Sequence, residues 1–283
     1  MKNKRGWFAF PYVIWMALFV VIPIVIMAVY AFTVADPATN ATQASLENFT
    51  GMGIYLSVFL RSFWLALLAT LVCLLVGYPV SYWMAKEGPR FQRVAMALIM
   101  LPMWMNFLLR TYSWMSILEN NGLLNQFFRA IGLLNLLGVD HIQMIGTSGA
   151  VVLGMVYNYL PFMILPIYSV IVKLDGSLLE AARDLGADSA RVFSKVIFPL
   201  SLPGILSGVT MVFVPSVSTF AISNLLGGGN QMMLGDLIEL QFLGGAYNPH
   251  LGAAISMVMM VIVVVCMVVM NHFGEGEEQA VML

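Results

Sequence analysis

Long apolar runs recur along the chain near residues 8–32, 59–85, 94–118, 148–172, 200–226 and 251–273. Each exceeds the roughly 20 residues that a helix needs to cross a bilayer. The pattern predicts an all-α polytopic membrane protein with six transmembrane helices, forming a single transmembrane domain over residues 1–283. The first run is too long for a signal-peptide core and lacks a small-residue cleavage site, so it reads as a retained anchor.

Between the fourth and fifth runs the pattern changes. Residues 174–199 are charged and amphipathic, an island of polar surface in a greasy chain. Ser177 and Glu180 are spaced as a capping box, which predicts a helix from Leu178. Leu178, Ala181, Ala182 and Leu185 share one arc of that helix, opposite Glu180, Arg183 and Asp184. Gly186 is placed to stop it in a left-handed conformation. Asp188 can cap a second helix, whose Val192, Phe193, Val196 and Ile197 share a face. The product is a helix-turn-helix knob suited to a groove in another protein. The other reading is a helix pair lying flat on lipid headgroups.

Composition narrows the class. The 283 residues are 60% hydrophobic and 10% charged, against about 25% charged in soluble domains. No sizeable soluble domain fits. The net charge of −1 is uninformative, but its distribution is not. Lys2, Lys4, Arg5, Lys86, Arg90, Arg93, Lys173, Arg183, Arg191 and Lys195 fall on one side of the runs, and only Arg61, Arg110 and Arg129 on the other. The positive-inside rule then puts both termini and the 174–199 loop in the cytoplasm. The acidic tail 274–283 is expected to be solvated and without fixed structure. Cys73 and Cys266 each sit within an apolar run and read as buried thiols.

Polar residues at membrane depth are candidates for a pathway. Trp104, Asn106 and Tyr112 lie in the third run, Tyr157 and Asn158 in the fourth, and Ser216 and Thr219 in the fifth. Such groups face protein or water rather than lipid. Interhelical hydrogen bonds and interfacial anchoring are their alternative roles. In one straight helix Arg110 would stand about 25 Å above Arg93, within reach of the outer headgroups. The outward loops 33–58, 119–147 and 227–250 carry Asp36, Glu47, Glu119, Asp140, Asp236 and Glu239. Asp236 and Glu239 therefore join the pathway candidates, since an acidic mouth suits a cation. In the middle loop, Leu123, Leu124, Phe127, Phe128, Ile131 and Leu134 predict one amphipathic helix.

Several chemistries find no residues to carry them. No G-x-x-x-x-G-K-[ST] phosphate loop occurs, so the chain is not expected to bind ATP. Histidines 141, 250 and 272 lack metal-ligand spacing, and no clustered nucleophile or base marks an enzyme. Every Asp and Glu lies at or beyond the end of a run, unlike the midplane carboxylates of an ion-coupled secondary transporter.

The island also carries a family signature. Glu180-Ala181-Ala182, three residues, Gly186, nine residues, Val196, then Phe198-Pro199 resembles the EAA loop of importer-type ABC transporter permeases, with Val196 and Phe198 replacing Ile and Leu. LPMWMNFLLRTYSW (101–114), ENNGLLNQFF (119–128), YLPFMILPIYSVI (159–171) and PLSLPGI (199–205) are similar to the spermidine/putrescine permeases, and to the B-type subunit of that pair. This resemblance implies the type I ABC importer permease fold in a bacterial inner membrane, with polyamines as cargo. Relatives carrying amino-acid-like or phosphonate solutes share much of the pattern. It also implies a second permease subunit, two ATP-binding subunits that hold ATP and Mg, and an extracytoplasmic polyamine-binding protein. No cofactor is expected in this chain, and no nucleic acid among its partners. Glu180, Ala181, Ala182, Asp184, Leu185 and Gly186 would couple it to an ATP-binding subunit.

Overall fold

The computed structural model describes residues 10–35 and 42–281. Lys2, Lys4, Arg5 and Asp36 lie outside them, as do residues 282–283. Almost everything described is helical: α1 Phe10–Ala31, α2 Leu56–Lys86, α3 Pro89–Met100, α4 Phe107–Leu118, α5 Leu123–Ala130, α6 Leu133–Leu137, α7 Ser148–Ile171, α8 Gly176–Asp184, α9 Ser189–Val217, α10 Ala221–Gly227, α11 Leu234–Phe242 and α12 Pro249–Val281. The exception is a two-stranded antiparallel ribbon, β1 Thr33–Ala35 with β2 Thr42–Ala44, in the first outward loop.

Among the described residues five helices are long and apolar enough to cross a membrane, and a bent pair counted as one span makes six. The bend corrects the straight third span expected over 94–118. Helix Pro89–Trp104 and helix Phe107–Ala130 meet at 91°. Pro102 and the extended backbone at Met105 end the first segment, and Asn106 starts the second by accepting from the N–H groups of Leu108 and Leu109 at 2.9 and 3.3 Å. The expected fifth span breaks too. α9 ends at Val217, and residues 218–220 separate it from α10. In the middle loop, Gly132 at φ 76° divides the expected single helix into α5 and α6. The tail differs in the opposite sense: no proline interrupts it, and α12 continues to Val281.

Two π turns share one setting. Ala17–Val21 precedes Pro23, and Phe193–Ile197 precedes Pro199. A proline has no N–H to return and crowds the carbonyl four residues back. A widened turn at that place accommodates it without breaking the helix.

The chain divides into two compact units. The smaller comprises the segment up to Ser57 and Leu237–Val264. Ala31, Ala253 and Ala254 form its buried centre, with Met27, Phe49, Met52 and Met257 around them. Asn48 donates to the carbonyls of Ala31 and Thr33 at 3.0 and 2.9 Å, satisfying backbone at the end of α1. His250 Nδ1 lies 3.1 Å from the Tyr30 carbonyl, which can only accept.

The larger unit comprises Val58–Asp236 and the segment from Val265. Its spine is the crossing of α7 and α9. Gly204 and Gly208, one turn apart, let the backbones meet: a Cβ on Gly204 would stand 2.9 Å from the Pro166 carbonyl oxygen, and one on Gly208 3.2 Å from that of Met163. Small residues four apart are the usual means of close helix approach in membranes. One buried cluster, including Val151, Met155, Ile222 and Leu226, packs α7 on α10, and a second, including Cys73, Met163, Ile167 and Val212, joins α2, α7 and α9.

Candidate functional site

The 174–199 loop is built by local capping on either side of one glycine. Its first helix begins at Gly176, two residues before the expected start at Leu178. Asp175 is the N-cap, and its carboxylate accepts from the Ser177 N–H at 2.9 Å. An Asp offers an acceptor two residues ahead of Ser177, so Ser177 falls inside the first turn and the expected capping box with Glu180 is not used. Past the C-terminus, Gly186 sits at φ 81°. Its N–H bonds the Arg183 carbonyl at 2.8 Å, while Ala187 N–H reaches Ala182 at 3.0 Å, the paired bonds of a Schellman ending. Asp188 then caps α9 by accepting from Arg191 N–H at 2.9 Å.

This second helix is no separate element of a knob. It runs without interruption from Ser189 to Val217, through the π turn and past Pro199, so the loop is joined rigidly to a membrane span. On α8, Leu178 and Ala181 are exposed and Leu185 is 90% exposed. Among the described residues most of the expected apolar arc is therefore left uncovered, with Ala182 half-buried and Glu180, Arg183 and Asp184 exposed beside it.

The hydrogen bond from Ser177 N–H holds the Asp175 carboxyl below its ordinary value. A lowered folded value means that the cap is fully formed above the unfolded pKa, about 3.9, and is lost only as pH falls through the folded value. The start of α8 should thus be unchanged between about pH 5 and 8. Asp175→Asn, which keeps an acceptor, should preserve slow amide exchange at Ser177, whereas Asp175→Ala should speed it; equal exchange in all three proteins would refute the cap.

The proposed pathway residues are not brought into one site. Trp104 is 84% exposed at the bend, and Tyr112 is exposed on α4. Tyr157 stacks edge-on with Trp114, centroids 5.3 Å apart. Asn106 serves as a cap. Asn158 and Ser216 are buried and bond their own helices, Nδ2 to Gly154 O at 2.8 Å and Oγ to Val212 O at 2.7 Å. Thr219 is buried in the break between α9 and α10 and lies beside Tyr159. Asp236 is buried at the start of α11 and accepts from Met233 N–H at 2.7 Å, while Ser62 accepts from Leu234 N–H at 2.8 Å. Glu239 is half-buried one turn on. Arg110 departs most from expectation. The 91° bend removes the straight helix that would carry it to the headgroups, and its side chain is 8% exposed.

Sequence reading passed over other anchoring residues. Asn125, a lone amide on the apolar face of α5, donates to Glu119 O and Ile142 O and accepts from Ile142 N–H at 2.8 Å, closing the loop. Gln92 donates to the carbonyls of Ala85 and Glu87 and accepts from the Tyr168 hydroxyl at 3.1 Å. A polar residue on an otherwise apolar helix face was the available signal for Asn125.

The sequence signature of the family described as "Binding-protein-dependent transport system inner membrane component" matches residues 77–275, a span that includes the loop and α9. The chain belongs to that family. It is a permease subunit of an ABC importer, a multi-pass protein of a bacterial inner membrane. The chain is 37% identical over 251 residues to the "Spermidine/putrescine transport system permease protein PotB" of Escherichia coli, covering 88% of this chain and 90% of that one. Against the protein of the same name from Haemophilus influenzae it is 38% identical over 245 residues, covering 86% and 84%. Among solved structures, a bacterial ABC transporter involved in import of the acidic polysaccharide alginate superposes with TM-score 0.78 over 96% of both chains at 16% identity. That likeness establishes the ABC importer permease fold.

Proposed function

We propose that this chain is a permease subunit of an ATP-driven importer of polyamines, spermidine and putrescine. The observation that carries this reading is identity over nearly the whole chain to permeases named for those solutes. Aromatic and acidic side chains facing outward, including Glu47 and Glu119, are compatible with a cationic cargo. Trp104, Tyr112, Tyr157 and Glu239 are the pathway residues this reading retains first, because the hydrogen bonds and caps described above occupy Asn106, Asn158, Ser216 and Asp236.

Under this reading the chain forms half of the translocation pathway beside a second permease. Two ATP-binding subunits hold ATP and Mg, and a soluble polyamine-binding protein delivers the cargo. Both termini and the 174–199 loop face the cytoplasm, as the distribution of Lys and Arg supports. Glu180, Ala181, Ala182, Asp184, Leu185 and Gly186 engage an ATP-binding subunit, supported by the exposed Leu178, Ala181 and Leu185 on a helix capped at both ends. ATP-driven closure of the nucleotide-binding pair then moves α8, and α9 with it.

The test is uptake of radiolabelled spermidine and putrescine into proteoliposomes containing the complete complex and its binding protein, with ATP on the side of the ATP-binding subunits. ATP-dependent accumulation of either is expected. Transport of an amino-acid-like or phosphonate solute, with neither polyamine moved, would overturn the cargo and leave the importer.

A further inference from the structure

Where the loop enters the membrane, four aromatic rings from two helices close on one another. Tyr78 and Tyr82 are four residues apart on α2 and share a face. Phe193 and Phe198 open α9. The Tyr82 and Phe193 rings meet edge-on at 5.3 Å and 71°, Tyr78 and Phe193 at 5.8 Å and 85°, and Tyr78 and Phe198 at 5.8 Å. Edge-on and tilted geometries at these separations are the favourable ones for aromatic pairs. The cluster is tied at both ends. Ser201 Oγ spends its proton on the Phe198 carbonyl at 2.8 Å, so in its 3.0 Å bond to Tyr78 it accepts. Lys86, one further turn along α2, sits 4.0 Å over the Tyr82 ring.

The π turn makes this arrangement possible. Residues five apart in an α-helix diverge by about 140°, which would send Phe193 and Phe198 to different faces. The N–H of Phe198 instead returns to the Phe193 carbonyl, and such an i to i+5 bond stacks the two residues on one side. Their ring centroids are 6.4 Å apart, and both reach Tyr78. The wide turn that aims both rings at α2 directly precedes the proline that the family pattern ends on.

We infer that Phe193, Tyr78 and Tyr82 form a transmission latch, carrying movement of the cytoplasmic loop into α2 during the transport cycle. The inference rests on the proposed coupling role of the loop and adds the route by which that movement leaves it. α9 alone is a continuous rod from the loop, whereas α2 ends at Lys86, 88 residues of sequence before the loop begins at residue 174. Deeper along α9, α2 also meets it through the apolar cluster around Cys73 and Val212, but the aromatic cluster is the contact at the loop end of α9, where movement of the loop would arrive first. The latch residues are positioning residues, acting through the two helices they join.

The test uses the complete complex in proteoliposomes and reads assembly, ATP hydrolysis and uptake separately. Phe193→Ala and, independently, Tyr82→Ala should assemble and hydrolyse ATP near the normal rate, while uptake per ATP falls about tenfold for Phe193→Ala, which loses two ring contacts to α2, and about threefold for Tyr82→Ala, which loses one. Phe193→Trp should recover most of the loss, because the ring contact and not the residue identity is required. Tyr82 lies on α2 and is not part of the loop's own sequence, so its variant reads coupling even if Phe193→Ala assembles poorly. Unchanged uptake per ATP in Tyr82→Ala, or failure of both alanine variants to assemble, would overturn the latch. Uptake and hydrolysis falling together only for changes on α8 would leave the docking reading standing and remove the latch alone.

Discussion

Gly186→Val should strongly weaken assembly with the ATP-binding subunits while leaving the protein in the membrane. A Cβ at this position meets nothing within 4 Å, so crowding is not the obstacle. The backbone is. At φ 81° an L-residue pays roughly 1–2 kcal/mol, and a β-branched one more. Relaxing that strain means unwinding the Schellman ending, which sets the direction in which α8 leaves α9. About 1.4 kcal/mol is a tenfold change in an equilibrium, so complex yield at limiting subunit concentration should fall by about tenfold or more. Gly186→Asn is the control, since Asn tolerates the left-handed region, and it should assemble nearly normally. Equal yield and uptake for the Val variant would remove the proposed docking role of the loop.

Gly204→Val should be the most damaging change in the membrane interior. The added Cβ would lie 2.9 Å from the Pro166 carbonyl oxygen and 3.1 Å from the Ile167 Cα. Both are backbone atoms of α7, so no side chain can turn aside and the helices must separate. Overpacking of this kind costs about 1–3 kcal/mol, and the second cluster around Met163 and Ile167 would loosen with it. Thermal unfolding of the detergent-solubilised protein should shift downward by several degrees, with lower membrane yield. Gly208→Ala should cost less, because its nearest neighbour at 2.8 Å is the Met163 sulfur on a flexible side chain. Gly176→Ala, with nothing within 4 Å, should be neutral. A Gly204→Val protein as stable as the parent would mean that α7 and α9 do not cross so closely.

The sequence by itself determined the class of this protein, because the solvent enforces it. Apolar runs longer than the bilayer leave helices as the available backbone, so helices were expected where α1, α2 and α7 lie, whereas α9 starts eleven residues before the run expected at 200–226 and ends nine before its close. The loop was legible for a related reason: Gly186 and Asp188 act through bonds to neighbours within three residues, so their roles follow from spacing alone. Even there Asp175 outcompeted Ser177 as a cap, a choice between two acceptors that periodicity cannot rank. What only the tertiary structure decided were the departures from straight helices and the partners of polar groups. Hydropathy is blind to direction, so the 91° bend at Met105–Asn106 read as one continuous run, and Arg110 was sent to a surface it does not reach. Asn158 and Ser216 look like pathway groups in sequence because they are polar at depth, and Asp236 because it is acidic in an outward loop. Their hydrogen bonds, to carbonyls four residues back for the first two and from the N–H three residues back for Asp236, become visible only with coordinates. The latch is the extreme case. Tyr78 and Phe193 are 115 residues apart, and a π turn, which changes no residue and no hydropathy, aims the one ring at the other.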